Sequence, residues 1–321
     1  MKREVVGVKK GRIALTTQSV VLMVAVVMWI ALSFMSPHFL TITNVQNIMR
    51  QMAIQGVLAV AEVLVILTAG IDLSVGSLVA LVNISMSKML VAKTMSIPTI
   101  ITVILLMSAL VGFTNGVMVY DLKIPPFIAT LGMMTILRGI TLLISGGSNV
   151  FGLPRSVADF ASGNFLGLPN IFWFLIISVA LVEFILRRTS FGRYVYALGS
   201  NVEAARLSGV NIRVVTYGVY TLASTLVGLA GILETSRLWM GVPTTGTGYE
   251  LDAIAAAVLG GASLFGAEGN AFGAFIGALI MTTIYNGAVL LNVNPFWQRI
   301  IVGIILVITV AVDQLRKRRT G

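Results

Sequence analysis

From Gln18 to Asp313 the chain alternates long apolar runs with brief polar breaks, and the length of the runs sets its class. A helix needs roughly 20 predominantly apolar residues to cross about 30 Å of hydrocarbon. On that measure helices are expected near 18–36, 52–69, 73–92, 97–120, 126–145, 168–187, 213–236, 251–266, 270–291 and 297–313. The expected fold class is all-α: a polytopic membrane protein of about ten transmembrane helices. Lys88 lies inside the third run, and Gly260-Gly261 interrupts the eighth, which is also short. The first run follows Lys2, Arg3, Lys9, Lys10 and Arg12, but its end, Ser33-Phe34-Met35-Ser36-Pro37, lacks a small-x-small cleavage pattern. It is expected to remain as a signal-anchor helix.

The breaks between runs organise the rest. Ten spans divide the chain into a basic cytoplasmic segment 1–17, one transmembrane domain 18–313 and a basic cytoplasmic tail 314–321. Lys and Arg support this orientation, because positive residues are retained on the cytoplasmic side. The segments placed inside carry the N-terminal basic residues, Lys123, Arg187, Arg188, Arg193, Arg206, Arg213 and the run from Arg316 to Arg319. They outnumber Arg50, Lys88, Lys93, Arg155, Arg237 and Arg299 on the other side. An outer connection near 146–167, rich in Gly, Ser, Asn and Pro, is expected to be irregular. In the inner connection 188–212, Asn201 can cap a short helix from Val202 to Leu207, with Glu203 in its first turn and Gly209 just past its end. Ala204, Ala205 and Leu207 give it a small apolar surface beside Arg206. It either lies against the membrane as a docking element or simply closes two spans. The halves echo one another weakly: Ala69-Gly-Ile-Asp-Leu-Ser-Val-Gly-Ser77 and Gly246-Thr-Gly-Tyr-Glu-Leu-Asp-Ala-Ile254 each place a glycine-bearing break before an acidic residue and a helix start. That is the pattern of an inverted repeat.

Composition narrows the functions. The hydrophobic fraction is 57% and the charged fraction 11%, against about 25% charged in soluble domains. The net charge of +10 is dispersed among spans and forms no stripe, so it reads as topology rather than nucleic-acid binding. There is no cysteine and no Gly-Lys pair, which removes thiolate sites and the Gly-x-x-x-x-Gly-Lys-Ser/Thr phosphate loop. No nucleophile with a base and no metal-ligand spacing appears, and His38 sits beside Pro37 at a span end, so an enzyme has little to rest on. Charges in or near spans are costly and therefore informative: Glu62, Asp72, Arg138, Glu183, Glu234, Glu250 and Asp252. Asp72 with Ser74, and Glu250 with Asp252, either cap the helices that begin there or line a path; Asn115 adds a neutral polar group to such a path. Glu62 is the acid an ion-coupled secondary transporter of a small polar solute would use. Gly269, Gly273 and Gly277 recur every four residues and expose a bare face for close helix packing, within the chain or between subunits.

Several motifs in order carry a resemblance. Ile66-Leu-Thr-Ala-Gly-Ile-Asp-Leu-Ser-Val-Gly-Ser77, Phe127-Ile-Ala-Thr-Leu-Gly-Met-Met-Thr-Ile-Leu-Arg-Gly139, Thr189-Ser-Phe-Gly-Arg-Tyr194, Ala204-Ala-Arg-Leu-Ser-Gly209 and Gly246-Thr-Gly-Tyr-Glu-Leu-Asp-Ala-Ile-Ala-Ala-Ala-Val-Leu-Gly-Gly261 closely resemble the permease subunits of ribose-type ABC importers. The likeness runs from about residue 18 to 313. It implies a bacterial inner-membrane protein, non-enzymatic in itself, that conducts a monosaccharide delivered by an extracytoplasmic sugar-binding protein. It implies a second permease copy and a cytoplasmic ABC ATPase that alone holds ATP and Mg. It implies that Asn201 to Gly209 couples to the ATPase. Arg155 and Arg237 become candidates for contact with the binding protein, with helix-end anchoring the alternative for Arg237. Related permeases carry pentoses, hexoses, inositols and furanosides, so the sugar stays open.

Overall fold

A computed structural model describes residues 17–93 and 95–320; the expected basic N-terminal segment lies, apart from Thr17, outside the described residues. Ten helices follow the apolar runs: α1 (Thr17–Met35), α2 (Ile42–Ile66), α3 (Val75–Ala92), α4 (Ile97–Tyr120), α5 (Pro126–Ser145), α7 (Asn170–Arg188), α10 (Ile212–Leu238), α11 (Tyr249–Leu259), α12 (Ala271–Leu290) and α13 (Pro295–Thr320). Between them lie α6 (Arg155–Ser162), α8 (Ser190–Ser200), α9 (Val202–Leu207) and a two-residue hairpin of β1 (Asn164–Phe165) and β2 (Leu168–Pro169). Among the described residues, eight helices are long and apolar enough to cross a membrane. The molecule is a polytopic helical membrane protein.

Three runs differ from the expected lengths; the last, expected at 297–313, is α13, which begins at Pro295 and continues to Thr320 through most of the expected tail. The segment expected at 251–266 is α11, of 11 residues, which at 1.5 Å per residue crosses about half a bilayer. It stops at Gly260, where a turn through Gly261 (φ 95°) carries the chain away from the helix axis. The run expected from 52 begins ten residues earlier, because Thr41 accepts a hydrogen bond from the Asn44 N–H (3.3 Å) and starts a 25-residue helix. The connection 146–167, expected to be irregular, holds α6 and the start of the hairpin. Pro154 precedes the helix with a φ already suited to its start, and Gly163 ends it.

α2 is the hub. From Met52 to Leu67 almost every side chain is buried, and the helix packs on α7, α10, α11 and α12. A helix apolar all round belongs inside a bundle. By contrast α4 and α5 turn Leu106, Leu110 and Leu143 outward, the face a helix presents to lipid. A reciprocal amide pair between Asn44 and Asn286 (3.0 and 2.7 Å) and a bond from Trp29 Nε1 to Thr283 Oγ1 (3.0 Å) tie α2 and α1 to α12.

Candidate functional site

The two glycine-bearing breaks that the sequence pairs meet inside the bundle. Each precedes a helix start, buried at Val75 and half-buried at Tyr249. A Cβ on Gly76 would collide with the Gly246 carbonyl and the Glu250 carboxylate, and one on Gly246 (φ 71°) would collide with the Gly76 carbonyl. Only glycine allows this backbone-to-backbone approach.

The break 239–248 is non-helical chain within the bundle, which is tolerated only where protein satisfies its polar groups. Every carbonyl from Met240 to Gly246 accepts a hydrogen bond. Val150 and Gly241 exchange two backbone bonds of 2.8 Å. Asn83 donates to the Met240 carbonyl (3.0 Å) and accepts from the Val242 N–H (2.6 Å). Arg138 Nη1 donates to the carbonyls of Pro243 (2.9 Å) and Thr245 (3.0 Å). A charge that looked anomalous inside a span is therefore the clamp on an irregular segment.

The other break is tied by carboxylates. Glu62 Oε1 accepts from the Asp72 N–H (3.1 Å), and Asp72 Oδ1 accepts from both the N–H (2.8 Å) and the hydroxyl (2.5 Å) of Ser74. Asn115 Nδ2 donates to Ser74 Oγ (3.1 Å). Ser74 occupies the cap position of α3 but makes no capping bond, since its hydroxyl is committed to Asp72. Glu250 accepts from the Gly248 N–H (3.3 Å) at the start of α11, whereas Asp252 caps nothing and accepts from the Tyr285 hydroxyl (2.6 Å). The structure brings Asp72, Ser74 and Asn115 together, and keeps Asp252 in a different place.

That place is a cavity of about 410 Å³ between α2, α10, α11, α12 and α13, lined by Gln51, Gln55, Glu234, Arg237, Tyr249, Asp252, Thr282, Tyr285, Gln298 and Arg299. It lies toward the end of the bundle where α10 and α12 finish and α13 begins. Arg237 grips Glu234 with two parallel bonds (2.9 and 3.0 Å), and the Tyr249 hydroxyl donates to the same carboxylate (2.9 Å). Arg237, a candidate either for contact with the binding protein or for anchoring its helix end, is half-buried and bonded to Glu234 of its own helix. Arg155 remains exposed on α6, 3.8 Å from Asp159. Gln55, Thr282 and Gln298 are not legible in the sequence as site residues; the one local signal for the cavity wall is the i,i+3 spacing of Glu234 and Arg237.

At the opposite end, α8 and α9 form a helical elbow. α8 was not anticipated: Thr189 caps it by accepting from the Gly192 N–H (3.1 Å), and Gly199 rests against the Leu67 carbonyl at the end of α2. Asn201 Oδ1 accepts from the Ala204 N–H (2.9 Å) and opens α9. Leu207 is 84% exposed, Ala204 is exposed, and Glu203 pairs with Arg206 on the surface (2.8 Å). Ala205 is 4% exposed and faces the bundle, so it is not part of the outward surface on which the sequence reading placed it. Gly209 ends the elbow at φ 82°.

The glycine stripe also divides. Gly273 and Gly277 bring α12 against the backbone of Gly260 and Ala256, a contact inside the chain. Gly269 precedes the helix, with φ 135°, because Asn270 caps it by accepting from the Gly273 N–H (2.7 Å). Glu183 accepts from the Ala271 N–H (3.0 Å) and joins α7 to this start while pairing with Arg187. Among the described residues, no three His, Asp or Glu side chains gather closely enough to hold a metal ion.

Comparison with known proteins adds to this geometry. Residues 44–310 match the model of the family described as branched-chain amino acid transport system / permease component. The chain is 42% identical to the ribose import permease protein RbsC of Escherichia coli K12, over 92% of its own length and 93% of the relative's. It is 35% identical to the D-allose transport system permease protein AlsC of the same organism (91% and 89%). It is 33% identical to the galactose/methyl galactoside import permease protein MglC of Salmonella typhimurium (97% and 98%). No solved structure matches.

Proposed function

This chain belongs to the branched-chain amino acid transport system permease-component family, and from that membership we propose that it is the membrane-spanning subunit of a bacterial ATP-binding-cassette importer for a monosaccharide. The observation that carries the reading is identity of 33–42% over nearly the full length to import permeases named for ribose, allose and galactose. An ion-coupled transporter has no comparable support among these relatives, which are all named as import or transport-system permeases of sugars.

The chain conducts and does not catalyse. A separate ATPase binds ATP and Mg and docks on the exposed side of α9, through Ala204, Leu207 and the Glu203–Arg206 pair. A binding protein delivers sugar to the opposite end, where Arg155 is exposed and toward which the cavity lies. Two permease copies form the assembly in the inner membrane, with both termini on the ATPase side, as the bias of Lys and Arg supports.

Contacts running between the two ends supply a mechanism. Leu67, at the end of α2, touches Gly199 of α8 and accepts from the Ala267 N–H (3.0 Å) in the turn between α11 and α12. The same α2 places Gln51 and Gln55 on the cavity, and α11 places Tyr249 and Asp252 there. Movement of the elbow therefore acts on two helices that line the cavity. The ATPase shifts the equilibrium only by binding the elbow better in one state than in the other.

Reconstitution tests the reading. Vesicles containing this chain, its ATPase and its binding protein should accumulate labelled D-ribose, D-galactose or D-allose only with ATP, and a protonophore should leave the rate unchanged. Uptake by this chain alone that collapses with the protonophore would overturn it.

A further inference from the structure

We propose that the cavity between α2, α10, α11, α12 and α13 is a transit site for one uncharged monosaccharide, held by Gln55, Thr282, Asp252 and Tyr285. This rests on the importer reading and goes further, placing a substrate-recognition site in the membrane subunit itself.

The volume, about 410 Å³, falls at the lower end of the roughly 300–1,000 Å³ typical of small-molecule pockets. Two of its polar groups want a partner. Thr282 is 1% exposed, and its hydroxyl has no hydrogen bond; Gln55 Oε1 is buried and likewise unpaired. Buried polar atoms are nearly always satisfied, and these two sit just behind the cavity wall, so a hydroxyl-bearing occupant would reach them once the Gln55 or Thr282 side chain turns toward it. Thr282 can donate or accept, and Gln55 Oε1 accepts. Together they fit groups that do both, which is the chemistry of a sugar hydroxyl.

Charge selects against ions. Arg237 and Arg299 are balanced in number by Glu234 and Asp252, and Arg237 is closed bidentately on Glu234. A zwitterionic amino acid would have to compete with the closed Arg237–Glu234 pair for its charges. An uncharged polyol has no such conflict. Tyr249 and Tyr285 suit it as well. Their hydroxyls are fixed by Glu234 (2.9 Å) and Asp252 (2.6 Å), which anchors two aromatic rings in the wall. Anchored rings provide apolar surface for the C–H face of a sugar beside polar tips.

The chain has no cysteine, so Thr282→Cys introduces a single reactive thiol close in size to the side chain it replaces. In vesicles holding the full importer under turnover, a cationic methanethiosulfonate reagent should label this thiol several-fold more slowly when D-ribose, D-galactose or D-allose is the transported solute. L-leucine should give no protection. Gln55→Leu should lower the maximal uptake rate by about 3- to 10-fold, the effect of one lost hydrogen bond, with the binding protein's own affinity unchanged. If a sugar is taken up while labelling stays equally fast and Gln55→Leu transports normally, the transit site is wrong and the importer reading stands. If none of the sugars is taken up by the intact assembly, the importer reading fails with it. Protection by L-leucine would overturn the monosaccharide assignment.

Discussion

At the scale of the residue, polar groups inside this bundle hold irregular backbone in place. Asn83 is fully buried and bonds to the Thr235 hydroxyl (3.1 Å), the Met240 carbonyl and the Val242 N–H. Asn83→Ala would leave two backbone groups of the break unpaired, at a cost of about 1–3 kcal/mol for each buried orphan. The expected outcome is a lower midpoint of thermal unfolding in detergent; an unchanged midpoint would mean that water replaces the amide. Arg138 and Glu62 were legible in the sequence as charges out of place, because a charge in a span is rare enough to notice. Their partners were not. Backbone carbonyls at Pro243 and Thr245, more than a hundred positions away, leave no trace in side-chain identity.

At the scale of the element, glycines separate by what they face. Gly76 meets the backbone of Gly246, while Gly132 on α5 has no atom near the place of its missing Cβ. Gly76→Ala should prevent the breaks from meeting and abolish recoverable folded protein. Gly132→Ala should be neutral or stabilising by up to about 1 kcal/mol, since alanine is the better helix former. Equal yield and melting behaviour in the two variants would contradict the close approach. The elbow divides in the same way. Leu207→Asp alters an exposed side chain and should leave insertion and folding intact while the ATPase no longer co-purifies. Ala205→Asp would place a charge on the buried side and should destabilise the chain itself. Retention of the ATPase by Leu207→Asp would remove α9 from the docking surface. The cap at Asn201 and the stop at Gly209 were visible in the sequence because they are local. The burial of Ala205 depends on where the elbow lies against the spans, and a six-residue helix does not specify that.

For the whole molecule, the cavity and the elbow lie at opposite ends of a bundle organised around α2. Their sidedness is directly testable in the cysteine-free chain. Leu207→Cys should resist a membrane-impermeant maleimide in intact cells and react in inverted vesicles, and Ser156→Cys on α6 should do the reverse. Labelling of Leu207→Cys from outside would invert the arrangement and separate α9 from any ATPase.

The sequence alone determined that the chain lives in a membrane, how many apolar segments it has, where the breaks fall and that Asn201 caps the short helix α9. Those properties depend on hydropathy and on contacts a few positions long, and both can be read along a line. Only the tertiary structure decided that α11 is half a span, that the two breaks touch, that Arg237 bonds to Glu234 of its own helix, and that Gln55 and Thr282 share a cavity with Asp252. The touching breaks and the shared cavity join residues from 30 to 227 positions apart, whose meeting depends on how helices pack rather than on what each helix contains.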